Sequence, residues 1–316
     1  IVAVNKLIFP LKSTRGFCGL LAFCFFAFAA MVPLISSAYA QTSERVLRVL
    51  IDNHKDYPIL GITLKNTSET TSSLKVSDCP DIDDPIFRGA FRFELELAML
   101  CQAVKASDVA DRLEFLPFPN IKRAVVDIEN GLADVMGTTM FRTEAVADLS
   151  TSVPVLRLGE FQVALFTTPN RDDIKQIKTP DDIRRLRGVT VKHWKLDQRT
   201  LKMMEVKDVL TTRKMTQIPK MISQGRADFT LSYLDRPTTD HMGEQLVRID
   251  GFRANFQEER IFAVSKNKPE VLKAIDDYIT SNRAKEIDRI RAAYILTGFI
   301  SDGYNDWIDV SSGNTQ

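Results

Sequence analysis

The sequence predicts an α/β chain of two similar lobes with largely parallel sheets. Three observations carry that prediction. Short apolar runs alternate with amphipathic stretches along most of the chain, the order expected of strands connected by helices. A six-position pattern, x-G-x-A-D-apolar, occurs at 130–135 and again at 224–229, each time behind an amphipathic stretch. The 276 residues beyond position 40 suit one or two domains with sizeable cores.

Residues 45–52 read as the first strand, from the run Val46, Leu47, Val49, Leu50 and Ile51. The Ser- and Thr-rich stretch 65–77 has no periodicity and reads as an exposed loop. Residues 91–104 alternate like a strand through Phe91, Phe93 and Leu95. They then take a helical period through Leu97, Leu100, Cys101 and Val104, and their length favours a helix. Residues 113–117 read as a short strand. Asn120 caps a helix whose inner face carries Ile121, Ala124, Val125, Ile128 and Leu132, with Gly131 at its end.

A buried strand follows at 133–136. Thr179 and Pro180 open another helix, which Gly188 ends, and 189–191 is a strand. Ile218, Met221 and Ile222 line a further helix that stops at Gly225, ahead of a strand at 227–232. The C-terminal region reads as two helices, 269–279 and 284–296. In both copies of the repeated pattern the glycine serves a left-handed helix end and the aspartate stands at the mouth of a buried strand.

The first forty residues read as a targeting segment. Lys6, Lys12 and Arg15 precede an apolar run at 17–34, and Ala38-Tyr39-Ala40 supplies the small residues of a cleavage site. Pro33, Ser36 and Ser37 shorten the run below a comfortable membrane span, so a cleaved signal peptide is expected rather than an anchor. A lipid-modified Cys24 is not expected, because Phe23 stands where a small residue is needed. Residues 41–316 carry a net charge of −2, which leaves no basic excess for phosphates and argues against nucleic acid as a partner. Cys18 and Cys24 leave with the signal. In an oxidising compartment Cys79 and Cys101 can form one disulfide, worth roughly 3 kcal/mol for a loop of about 20 residues. The other reading is two free thiols.

Several segments together resemble a known family. These are 46–58, Phe93-Glu94-Leu95-Glu96-Leu97-Ala98, 119–124 with 130–134, Arg142-Thr143-Glu144 with Leu149, Ser150 and Pro154, then 179–188 and 225–229. In order and spacing they resemble the motifs of type II periplasmic solute-binding proteins of the polar amino-acid transporter class. The likeness extends over most of residues 45–300. It implies two lobes joined by a two-strand hinge: residues 41–158 with 263–316 in one, and 159–262 in the other. It also implies a monomer in the periplasm that closes on a small polar molecule by hinge motion, needs no cofactor and serves an ABC permease. Two alternatives share the fold. One is a ligand-sensing receptor for a separate membrane signalling partner. The other is a cyclohexadienyl-dehydratase-like enzyme, whose cleft carboxylic acid the sequence does not identify.

Ligands of open α/β sheets lie beyond the carboxyl ends of the strands. That places Asp52, His54 and Tyr57 as candidate contacts after the first strand, and Thr138 and Thr139 after 133–136. Trp194 and Lys195 follow 189–191, with Trp194 able to stack on a ligand. Each also fits a turn or core position. The resemblance implies an Arg three residues after Thr143 and an Asp five residues after Asp228, the two clamps for a zwitterion. This chain has Val146 and Tyr233 there. Arg142 and Asp235 are the candidate replacements, and Tyr233 is a candidate polar contact. With both clamps missing, the sequence predicts weak binding of α-amino acids and a better fit for a carboxylate or another non-zwitterionic solute.

No catalytic residue and no metal site is expected. His54, His193 and His241 fall in no metal-ligand spacing, and no P-loop, Rossmann glycine run or G-x-S-x-G turn occurs. Ser72 and Lys75 fit S-x-x-K, but no S-D-N or K-T-G partner follows. The expectation is a binding protein, not an enzyme.

Overall fold

The computed structural model describes residues 43–52, 57–62, 72–145, 148–241, 244–283 and 286–311. The targeting segment, His54 and Val146 lie outside the described residues. In chain order the first half carries β1 (Val46–Asp52), β2 (Ser72–Lys75), α1 (Arg92–Ser107), β3 (Arg112–Phe118), α2 (Ile121–Glu129), β4 (Val135–Met136), β5 (Met140–Phe141) and β6 (Leu149–Thr151). The middle carries β7 (Gln162–Thr167), α3 (Asp172–Lys175), α4 (Pro180–Arg184), β8 (Arg187–Val191), α5 (Lys195–Met203), β9 (Asp208–Thr212), α6 (Ile218–Ser223) and β10 (Thr230–Tyr233). Then come β11 (Thr238–His241), β12 (Glu244–Asn255), β13 (Arg260–Ile261), β14 (Ala263–Ser265), α7 (Pro269–Arg283), α8 (Arg289–Thr297) and β15 (Ile308–Asp309).

Two sheets result. The first has the order β2-β3-β1-β4-β14-β6, with β1 parallel to both β3 and β4. The second has the order β10-β7-β12-β11, antiparallel along that path, with β15 added parallel to β12. The expectation of largely parallel sheets therefore gives way to mixed ones. Parallel ladders form where a helix carries the chain back, as in β8–α5–β9 and where β3 and β4, linked by α2, both pair with β1. Antiparallel ladders form where strands follow by a short turn, as at β11 and β12.

The first core explains why β1 is apolar without alternation. Val49 and Ile51 face one cluster with Leu97 and Leu100 of α1, and Leu50 faces another with Ala124, Val125 and Ile128 of α2. A strand covered on both sides reads as a continuous apolar run. Helix α1 is buried over most of its length, since it packs under β1 on one side and against α7 on another.

Between the sheets the chain passes twice in register. Val155 donates to the Arg260 carbonyl at 2.8 Å, Arg260 to Leu156 at 3.0 Å, and Phe256 to Phe161 at 2.9 Å. A third passage, which the sequence does not signal, follows Gly298 and ends in β15 on the second sheet. The C-terminal stretch therefore does not stay with the first sheet.

Several local expectations change. Residues 72–75 form an edge strand against β3, not part of a loop, with Leu74 packed on the core and its neighbours more open. Leu132 is 53% exposed, because α2 ends before it. Gly188 lies inside β8 rather than at a helix end, and a Cβ there would come 2.7 Å from Leu201. Other signals read locally hold. Asn120 accepts from the Arg123 amide at 3.0 Å, Thr179 and Asp182 form a reciprocal cap, and Gly131 and Gly225 take φ of 71° and 66°. Cys79 and Cys101 are joined, with Cα atoms 5.6 Å apart.

Candidate functional site

Parallel β1 and β4 end together, and a glycine sets where their ends point. The Gly137 amide donates to the Leu50 carbonyl at 2.8 Å, and a Cβ at this position would lie 2.9 Å from that oxygen. Glycine alone permits so close an approach. The next residues, Thr138 and Thr139, are buried at the carboxyl end of the first sheet.

Thr139 meets a cluster of charges around Glu96. Its amide and hydroxyl donate to the Glu96 carboxylate at 2.9 and 2.5 Å, and the Tyr294 hydroxyl donates to it at 2.8 Å. Arg92, one turn earlier on α1, forms an ion pair with the same carboxylate. Arg260 donates from Nε to the Thr139 hydroxyl at 2.8 Å and from its terminal nitrogen to the Thr139 carbonyl at 2.5 Å. Its guanidinium lies 4.5 Å from the Phe141 ring centre. Burial alone would push the Glu96 carboxyl up, but Arg92, Arg260 and the hydrogen bonds outweigh it and hold the group below the ordinary carboxylate range. Burial, with Arg92 beside it, brings Arg260 down to about 10, so it remains a cation at neutral pH. Burial and the Glu96 charge push the Tyr294 phenol up and keep it neutral.

The predicted contacts fall into two groups. Asp52, Tyr57, Thr138, Thr139 and Tyr233 lie around this cluster. Tyr57 is fully buried, accepts from the Asp52 amide at 3.1 Å and packs edge-on against Phe93. Tyr233, at the end of β10 in the second sheet, is 40% exposed. Phe299 joins the two sides: Arg92 lies 5.3 Å from its ring centre, and the Tyr233 ring lies 5.5 Å away. Arg236 stands 5.5 Å from the Tyr233 ring. Asp235 is exposed, with a carboxylate oxygen 3.0 Å from where a Cβ on Gly298 would be.

The second group is engaged elsewhere. Arg142 donates to Glu259 at 2.6 Å and to the Thr151 hydroxyl at 2.9 Å, so it is already paired. Trp194 precedes α5 and packs on the second-sheet core, beside exposed Lys195.

Arg92, Glu96, Arg260, Tyr294 and Phe299 are the residues that the sequence reading does not pick out. Only the first two carry a readable signal, an Arg and a Glu one helical turn apart on a stretch that is otherwise apolar. Among the described residues no group of His, Cys, Asp and Glu is placed to hold a metal, and no helix is long and apolar enough to cross a membrane.

No family model and no curated protein matches the chain. Solved structures do. The probable amino-acid ABC transporter extracellular-binding protein ytmK from Bacillus subtilis superimposes with a TM-score of 0.51 at 13% identity, over 81% of this chain and 98% of that one. The VFT2 domain of Bordetella pertussis BvgS gives 0.47 at 16% identity, over 80% and 93%. The substrate-binding protein AbpA of Streptococcus pneumoniae, bound to L-arginine, gives 0.45 at 13%, over 81% and 97%. With two sheets, paired passes between them and polar groups gathered at the strand ends, the chain has the two-lobed α/β fold of the type II periplasmic binding proteins.

Proposed function

We propose that the protein captures a small polar solute between the two sheets and closes on it about the paired passes at 155–161 and 256–261. The observation that carries this reading is Phe299, which has Arg92 from the first-sheet side and Tyr233 from the second on the same ring. A group that touches both sides responds to closure, and a solute entering there would stabilise the closed form by its differential affinity. In this reading residues 43–158 with 263–297 form one lobe, and 159–262 with β15 form the other. The protein is exported and hands its solute to an ABC importer.

Thermal unfolding of the purified protein against a panel of periplasmic solutes tests this. A solute bound near micromolar, about 8 kcal/mol, raises the melting temperature in a concentration-dependent way. X-ray scattering with and without it should show a more compact particle. A panel without any stabilising solute, together with enzymatic turnover of one of its members, would replace this reading with a catalytic one.

A further inference from the structure

We propose that Arg92 is the anion anchor of the cleft and that the solute it takes is a carboxylate. The inference rests on the cleft reading above and adds to it a ligand class and the residue that selects it. Arg92 opens α1, and one terminal nitrogen of its guanidinium is spent on Glu96 and, at 3.4 Å, on the Thr139 hydroxyl. Its Nε and second terminal nitrogen make no hydrogen bond to any described residue. Its side chain keeps 23% exposure, where that of Glu96 has none. The free edge is the one that binds carboxylates elsewhere in this molecule. Arg48 and Arg187 each present Nε and the second terminal nitrogen to an aspartate, at 3.2 and 2.7 Å and at 3.0 and 2.9 Å.

Charge counting supports the same assignment. Arg92 and Arg260 both face Glu96, so one buried carboxylate serves two guanidinium groups. Arg260 presents less of itself, because its side chain is nearly fully buried, its Nε and one terminal nitrogen are bound to Thr139 and its face is covered by Phe141. Of the two, Arg92 is the more open to an arriving group. A cation that shares its one carboxylate with a second cation in a mostly buried place is costly, and an arriving anion lowers that cost. A single guanidinium edge matches one carboxylate as a fork. Inorganic phosphate, close to a dianion, calls for more donors than one edge supplies. Two other arginines near the passes are committed: Arg142 to Glu259 and Arg199 to Glu258.

Calorimetry tests the proposal with matched probes: sodium benzoate, succinate, glutarate and lactate, each against its amide, with inorganic phosphate and sulfate as further arms. At least one carboxylate should bind, with its amide weaker by roughly 100-fold. Arg92→Ala should lose the same roughly 100-fold, and Arg92→Lys, which keeps the charge without the fork, should lose about 10-fold. Circular dichroism confirms that each variant is folded; if Arg92→Ala is not, Arg92→Lys decides. An amide that binds as well as its acid overturns the proposal. So does phosphate or sulfate binding more tightly than every carboxylate, or a carboxylate affinity unchanged in the variants. If no carboxylate binds while a neutral or cationic solute of the wider panel does, Arg92 is not the anchor and the cleft reading stands. If no solute of any class binds, both fall.

Discussion

Asp134 receives Arg48 three times: from its backbone amide at 2.9 Å, from Nε at 3.2 Å and from a terminal nitrogen at 2.7 Å. Asp228 receives Arg187 in the same way at 2.8, 3.0 and 2.9 Å. In both places the arginine also reaches the carbonyl of the preceding glycine, Gly131 or Gly225, at 2.8 Å. The repeated sequence pattern is therefore a repeated clasp. Its aspartate lies level with the start of the parallel ladder, at the end away from Asp52 and Thr139, and serves stability rather than ligand binding.

Removing the carboxylate should unfold the protein more readily. Asp228→Ala leaves Arg187 without its carboxylate partner and takes one of two carboxylates from Arg171, 3.0 Å away. Charge-assisted hydrogen bonds are worth roughly 1.5–3 kcal/mol each, and Arg187 remains partly hydrated, so a loss of about 2–4 kcal/mol is expected. Asp134→Ala should cost less, because its second cation, Lys268, stands 3.9 Å off. Urea unfolding measures both. Burial pushes the Asp228 carboxyl up, but Arg187 and Arg171 outweigh it and hold the group below its ordinary value. Its contribution is thus present above about pH 4 and lost as pH falls further, and Asp228→Ala should flatten the acid limb of a stability–pH curve.

The clasp shows which parts of the fold were legible. The glycine and aspartate of each copy lie within six neighbouring positions, so a short pattern marks them, while the arginine that completes the clasp comes from 86 or 41 positions away. Apolar runs and caps are local in the same sense. The edge strand β2 was not legible, since its outward Ser and Lys positions leave Leu74 as its one apolar residue. Strand β15 and the third passage depend on pairing with β12, which short-range periodicity cannot register. The Glu96 cluster is the extreme case. Tyr294 comes to Glu96 across 198 positions, and Arg260 comes to Thr139 across 121. A lone buried charge breaks the local rule for cores, but the partners that permit it are set by topology.

Gly137 is a second place where local sequence has a long-range reason. Gly137→Ala would put a Cβ 2.9 Å from both the Leu50 carbonyl oxygen and Val49 Cγ1. Backbone must move, which typically costs about 1–3 kcal/mol. The movement displaces Thr138 and Thr139, so solute affinity should fall together with the melting temperature. A variant that loses neither would show that the strand ends are looser than this packing implies.

Asp197 should make stability depend on pH near neutrality. It lies in the first turn of α5, partly buried, with its own backbone amide as hydrogen-bond donor, and burial pushes its carboxyl up to about 7. A carboxyl raised above its unfolded value favours the folded state while it is protonated. The contribution is complete below about pH 4 and is lost as pH rises through about 7. Asp197→Asn keeps the neutral shape at every pH. It should melt higher than the parent at pH 8, by roughly 2–4 °C, and together with it at pH 4. Parallel curves for the two proteins would remove Asp197 as the source.

The last expectation concerns amino acids, which should bind weakly. A zwitterion that enters a closed cleft loses hydration at both ends, at several kcal/mol for each charge left uncompensated. Arg92 can compensate the carboxylate. For the ammonium, Tyr233 stands where an acid would be needed, and Arg236 lies 5.5 Å from that ring, a second cation near the same place. Asp52 and Asp235 are the nearest acids by sequence to the strand ends, and Asp235 is turned toward Gly298. Arg142, the other candidate clamp, is held by Glu259 at 2.6 Å. Each of the twenty common amino acids should therefore bind more weakly than the carboxylate that lacks its amino group, by roughly 10-fold or more, since one missing charge-assisted bond is worth about 1.5–3 kcal/mol. Calorimetry on matched pairs, such as alanine with propionate and glutamate with glutarate, makes the comparison. Submicromolar binding of any amino acid, abolished by Arg142→Ala, would show that Arg142 leaves Glu259 to act as the clamp and that the ammonium finds a partner in the cleft.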